Sequence, residues 1–153
     1  MELVDFLREK HVDFQLCTHR PTFTSQQMAA EEHTPGANVA KPVIVQADGK
    51  YYMCVLSACC KVDLDKLRNQ LDAGEVQLVS EKEMAKLFPD CELGAEPPFG
   101  NFFGMTTLMD ENLGKDGYIL FQSGKHDQAV RLKLGDYEKI VHPRIMKFSY
   151  HLH

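Results

Sequence analysis

The apolar positions of this chain recur at two different periods. Leu3, Phe6 and Leu7 fall at i, i+3 and i+4, which predicts a helix over residues 2–10. The period then drops to two: Val12, Phe14 and Leu16 alternate with polar neighbours, the pattern of a half-buried strand. "TFTSQQMAAEEH" returns to a helical pattern, with Thr24 and Gln27 at capping-box spacing and Pro35-Gly36 as the stop. "KPVIVQA" and "KYYMCVL" flank Asp48-Gly49, a pair suited to a two-residue type I′ turn, and so predict a hairpin. Cys59-Cys60 reads as a strand end entering a helix that Asp63 caps and that reaches about Leu71. "EVQLV" is a short strand. Ser80 and Glu83 repeat the capping-box spacing and open a helix that stops near Phe88-Pro89. Strands are expected at about 104–109, 118–122 and 128–134, and a last helix, opened by Asp136, runs to His142 ahead of Pro143.

So many strands, with so few long helices, exclude a doubly wound parallel sheet. The pattern predicts an α+β fold: a mixed, mainly antiparallel sheet, curled and barrel-like, with helices packed outside it. The 153 residues suit one compact domain over 1–153, and no repeat or linker divides it. Apolar residues make up 44% and charged residues 25%, a globular rather than a disordered balance. No apolar run approaches the length of a membrane span, and "MELVDFLREK" is too charged for a secretion signal. A cytoplasmic location is the expectation.

Charge narrows the partners. With 22 acidic and 17 basic residues, the net charge is −5, which argues against broad binding to a nucleic-acid backbone and leaves room for a small footprint on one nucleic-acid end. The five cysteines include no C-x-x-C and read as reduced thiols packed as small hydrophobes. The seven histidines are scattered, without H-E-x-x-H or zinc spacing, so no metal site is expected; His151 and His153 read as exposed terminal residues.

Four places carry candidate chemistry. Lys41 stands at the mouth of the apolar run Val43-Ile44-Val45, where an ammonium is rarely placed unless something uses it. "GAEPPFGNFFG", residues 94–104, combines prolines that fix φ with glycines that let a ligand approach the backbone; as an isolated pattern it also reads as a stiff turn. Ser123-Gly124 reads on spacing as a hairpin turn, and otherwise as a hydroxyl at the mouth of a barrel; the sequence assigns it no Asp/His pair, so no triad is expected. Cys59 and Cys60 precede Lys61, an electropositive neighbour for a thiol, although packing explains them as well.

Taken in order, "TSQQMAAEEHTPGANVAKPVIVQADGKYYMCVLSACCKVDLDKL", "FPDCELGAEPPFG" and "ILFQSGKHDQAVRL" resemble the YbaK/ProX family, the aminoacyl-tRNA editing domains that stand free or are inserted in bacterial prolyl-tRNA synthetases. The likeness covers roughly residues 15–142. It rests on Lys41 ahead of a hydrophobic strand, "KVDL" from Lys61 to Leu64, and the G-x-x-x-P loop from Gly94 to Pro98. It implies hydrolysis of the ester joining a wrong amino acid to the terminal adenosine of a tRNA, a small amino acid such as cysteine or alanine on proline tRNA being the family's known substrate class. It implies the tRNA acceptor end, and a prolyl-tRNA synthetase, as partners, and no metal or organic cofactor. It leaves open a non-catalytic binding module of the same fold, and the sequence says nothing of oligomeric state.

The same resemblance assigns the site. Lys41 matches the family's pocket lysine. Gly94 and Pro98 are the ends of the loop, with Gly100 following. Ser123 and Gly124 fall where members carry a small polar pocket residue before glycine. His19 or Thr18 falls near a position that holds a tyrosine in some members, a tyrosine absent here. Phe99, Phe102 and Phe103 are candidates for the pocket wall as well as for the core. The expected chemistry is attack by water on the ester carbonyl. Backbone N–H groups of residues 94–100 would hold the oxyanion, and Lys41 would anchor a phosphate or ribose oxygen as a point charge.

Overall fold

The Asp48-Gly49 turn organises the largest sheet. Both residues take positive φ, 49° and 85°, as a type I′ turn requires. They join β2 (Ala40–Ala47) to β3 (Lys50–Ser57) in a register that sets Lys41 opposite Leu56 and Ile44 opposite Met53. The computed structural model describes residues 2–22 and 24–152; His153 therefore lies outside the described residues.

The other elements are α1 (Leu3–Glu9), β1 (Phe14–Thr18), α2 (Ser25–Glu31), β4 (Cys60–Val62), α3 (Leu64–Leu71), β5 (Val76–Leu78), α4 (Glu81–Leu87), β6 (Thr106–Asp110), β7 (Tyr118–Gln122), β8 (Gln128–Lys133), α5 (Leu134–Val141), β9 (Arg144–Met146) and β10 (Ser149–His151). A mixed sheet runs in the order β5-β2-β3-β6-β9, a second in the order β1-β8-β7, and β10 pairs with β4. Among the strand pairs of the described residues, β3–β6 and β6–β9 are parallel and the others antiparallel. The fold is α+β and mainly antiparallel, as expected, but the five-stranded sheet keeps two open edges, β5 and β9. Among the described residues one isolated bridge, Val39 to Leu120, couples it to the three-stranded sheet, so the curl stops short of a closed barrel.

Three expected caps form. Thr24 accepts a hydrogen bond from the Gln27 N–H, Asp63 from the Asp65 and Lys66 N–H groups, and Ser80 from the Glu83 N–H. Some expectations fail for tertiary reasons. The last helix opens at Leu134 rather than Asp136, because Lys133 ends β8 and the helix follows at once, without a side-chain cap. Leu16 is 44% exposed although Val12 and Phe14 pack on the main core. Strand β1 passes from one core to another: Cys17, on the opposite face, packs with Met28, Ala29 and Ala129.

Two cores flank the five-stranded sheet. Ala40 and Ile44 face the larger one with Phe99, Phe121 and Tyr137; Val45, Cys54 and Leu56 face the other with Leu67 and Phe148. Among the described residues no helix is long and apolar enough to cross a membrane.

Candidate functional site

The loop 94–100 is held from every side. Gly94, exposed and at φ 89°, donates its N–H to the Glu96 carboxylate at 3.0 Å. The Ala95 N–H donates to the Glu92 carbonyl, and the Ala95 carbonyl accepts from the Gly124 N–H at 2.8 Å, which ties the loop to Ser123-Gly124. The Phe99 N–H donates to the Pro97 carbonyl, and the Gly100 N–H to Thr107 Oγ1 at 2.9 Å. The fully buried Tyr137 hydroxyl donates to the Pro98 carbonyl at 2.5 Å.

This inventory corrects the idea of several loop amides grasping one oxyanion. Pro97 and Pro98 have no N–H, and those of Gly94, Ala95, Phe99 and Gly100 already have acceptors. Among the described residues, the Glu96 N–H is the loop's one amide without an acceptor in the chain.

The loop borders a cavity of about 450 Å³, within the range of small-ligand sites. Pro97, Phe102, Phe103, Cys91, Ser123 and Gly124 contribute to its lining. The Ser123 hydroxyl points to Gln128, whose side-chain oxygen accepts it at 2.7 Å. Gly124 sits at φ 109°. The structure thus brings Ser123, Gly124 and the proline end of the loop together.

It does not bring every expected residue there. Phe99 is fully buried; its ring meets Phe121 and Tyr137 edge-on and supports the loop from the core instead of lining the cavity. His19 tucks its ring away: Nδ1 donates to the Arg20 carbonyl at 2.6 Å, and Nε2 faces a Glu32 carboxylate oxygen 3.9 Å away. Lys41 is also absent from this lining. The alternation along β2 puts it on the side of Val43 and Val45, facing the second core, and its register partner Leu56 belongs to that core.

Lys41 is half-buried there among Cys59, Cys60 and Lys61. Burial is the main cause that lowers its pKa; the like charge of Lys61 lowers it further, while the Cys60 and Cys59 thiols oppose the shift. Cys59 Sγ lies so close to Gly36 that a Cβ there would stand 2.6 Å from it. All five cysteines are free thiols, with Cys54 and Cys60 buried. Among the described residues no group of three or more His, Cys, Asp or Glu side chains is placed to hold a metal ion.

Sequence reasoning missed Tyr137, Thr107 and Glu92, which fix the loop, and Cys91, which faces the cavity. Each acts across a gap in sequence that no spacing rule spans.

The fold thus combines a five-stranded mixed sheet that carries Lys41 with a pinned glycine-proline loop and a Ser-Gly turn that border a cavity. Residues 19–140 match the aminoacyl-tRNA editing domain model, and the chain belongs to that family. The multifunctional Ser/Thr-tRNA deacylase ProXp-y of Escherichia coli (strain K12) is 26% identical over 152 residues, spanning 95% of this chain and 90% of that protein. Among solved structures, the hypothetical protein APE2540 superposes with a TM-score of 0.87 at 15% identity, covering 98% of this chain and 100% of its own. A candidate trans-editing enzyme for prolyl tRNA synthetase superposes with a TM-score of 0.79 at 14% identity, covering 90% and 87% of the two chains. At such identities these likenesses establish the fold.

Proposed function

We propose that this chain is an aminoacyl-tRNA deacylase acting in trans, which hydrolyses the ester between a wrongly attached small amino acid and the terminal ribose of a tRNA. The observation that carries the reading is family membership across residues 19–140, a span that contains Lys41, the 94–100 loop and Ser123-Gly124.

Water attacks the ester carbonyl, the carbonyl oxygen becomes an oxyanion, and collapse releases the free amino acid and the ribose hydroxyl. The Glu96 N–H is the loop amide left free to donate to that oxygen, although Glu96 itself borders a smaller neighbouring cavity, and a preorganised donor contributes about 10²–10³ in rate. Gly94, Pro98 and Gly100 act by holding the loop in shape. Lys41 binds at the nucleotide end of the substrate, as a charge for a phosphate or ribose oxygen, while the cavity by Ser123 and Phe102 receives the amino acid. A substrate ribose hydroxyl orients the water.

Specificity rests on steric fit. An apolar pocket separates neighbours that differ by one methylene by only about 1–3 kcal/mol, so exclusion of a larger cognate residue is the easier task. Proline tRNA bearing alanine or cysteine is the first substrate expected, and a prolyl-tRNA synthetase the natural partner. The name of the E. coli relative favours a second reading, with serine or threonine as the amino acid.

The test is a panel of tRNAs charged with alanine, cysteine, serine, threonine and proline, scored for release of free amino acid by the purified protein. Release from at least one small-residue ester, with cognate prolyl-tRNA left intact, is expected. An unhydrolysed panel, with tRNA binding retained, would instead support a non-catalytic binding module.

A further inference from the structure

Strand β10 lies beyond residues 19–140, the part that matches the family model, and pairs antiparallel with β4: Ser149 opposite Val62, Tyr150 opposite Lys61, His151 opposite Cys60. Cross-strand partners share a face of the ribbon. Ser149 and Cys60 are each 7% exposed and Val62 packs on the second core, so their side of the ribbon faces inward. Tyr150 and Lys61 take the other side: Tyr150 is 48% exposed, and Lys61 is exposed beside it. The nearest acid along the chain, Asp63, has its carboxylate committed to capping α3.

An aromatic face beside an exposed lysine suits an unpaired nucleotide: bases stack on such rings and a backbone phosphate meets the cation. On a chain of net charge −5, this small strip is complementary to a nucleic-acid end where the surface as a whole is not. We infer that Tyr150 and Lys61 form a stacking platform for an unpaired base at the single-stranded 3′ end of the substrate RNA, with the adjoining phosphate directed toward Lys61. The inference deepens the proposed function and rests on its substrate being a tRNA end.

The sequence contains no tryptophan, so Tyr150→Trp installs a single indole at the platform while keeping an aromatic face. Titration with an RNA hairpin carrying an unpaired 3′ extension quenches that indole, and a blunt hairpin of the same stem does not. In anisotropy measurements Tyr150→Ala weakens binding of the extended hairpin about tenfold, Tyr150→Phe leaves it near wild type, and Lys61→Gln lowers its salt dependence. Circular dichroism on each variant confirms that the fold is kept; Tyr150→Leu, which retains an apolar strand residue, serves if Tyr150→Ala frays the ribbon.

An unquenched indole, or Tyr150→Ala and Tyr150→Leu binding the extended hairpin within twofold of wild type, overturns the platform. A Tyr150→Ala effect confined to sedimentation, with self-association lost and RNA binding unchanged, overturns it too, in favour of a second copy of the chain. The proposed hydrolysis is scored separately. A protein that stacks the RNA end yet hydrolyses no ester sinks the deacylase reading and leaves the platform standing.

Discussion

The hydroxyl of Tyr137 on α5 donates to the carbonyl of Pro98 at 2.5 Å, and both residues are buried. Burial pushes the phenol pKa up, so the group remains a protonated donor. The last helix thereby anchors the loop that borders the cavity. Tyr137→Phe leaves a buried carbonyl without its donor, a loss of about 1–3 kcal/mol. Thermal denaturation should show a fall of about 2–4 °C for each kcal/mol. Deacylation kcat should fall severalfold while KM holds, because the loop still forms but is less well fixed. An unchanged kcat would remove Tyr137 from loop positioning.

Lys41 should cost the fold some stability. It is half-buried, its pKa is lowered chiefly by burial, and no carboxylate pairs with it among the described residues. Lys41→Met removes a poorly solvated charge and keeps a side chain of similar length. The melting temperature should rise, by an amount equivalent to about 0.5–2 kcal/mol. A lower melting temperature would mean that the ammonium is structurally satisfied and is not held in place for a ligand.

The two glycines of the loop should fail differently. A Cβ at Gly100 would stand 2.7 Å from the Met105 carbonyl oxygen and collide with Thr107 Oγ1, and backbone cannot move aside cheaply. Gly100→Ala should cost about 1–3 kcal/mol. Gly94 is exposed, at φ 89°, so Gly94→Ala strains the backbone there by about 1–2 kcal/mol, and should slow turnover in a protein that still folds. Denaturant melts paired with kinetics distinguish the two; equal stability losses with unaltered turnover for Gly94→Ala would contradict the loop's role.

Thiol chemistry offers a pH test. Burial raises the Cys91 pKa to about 11, helped by Glu96 and Asp90, and burial raises that of Cys54 to about 12. The native state therefore holds these protons more tightly than the unfolded chain, whose thiols ionise near 9.0. Their contribution to stability is complete below about pH 9 and is lost as pH climbs through the folded-state values. Alkylation followed by peptide mass spectrometry at pH 8 should leave both unmodified, with Cys91 becoming reactive as pH nears 11. Rapid labelling of Cys91 at pH 8 would show that its side of the cavity is open to bulk water.

Local chemistry was legible in the sequence. The Asp48-Gly49 turn and the caps at Thr24, Asp63 and Ser80 each depend on residues within three positions of one another, and each forms. What depends on distant partners was not. Strand β4 is three residues long and exists because β10 pairs with it from the far end of the chain. Leu16 obeys the period-two pattern, but its strand leaves the core that the pattern assumes. The cavity's glycine-proline loop was visible by composition, yet its free donors were not: Thr107, Glu92 and the fold of Glu96 onto Gly94 consume them. The strand alternation groups Lys41 with Val43 and Val45, but only the packing of Leu67 and Phe148 tells which core that face meets.

The account turns on Lys41, and single-turnover deacylation of a mischarged tRNA by wild type and by Lys41→Ala tests it most directly. Wild type should release the amino acid, and the folded variant should be slower by two orders of magnitude or more. A variant whose rate matches wild type would contradict the assignment of Lys41 to the substrate.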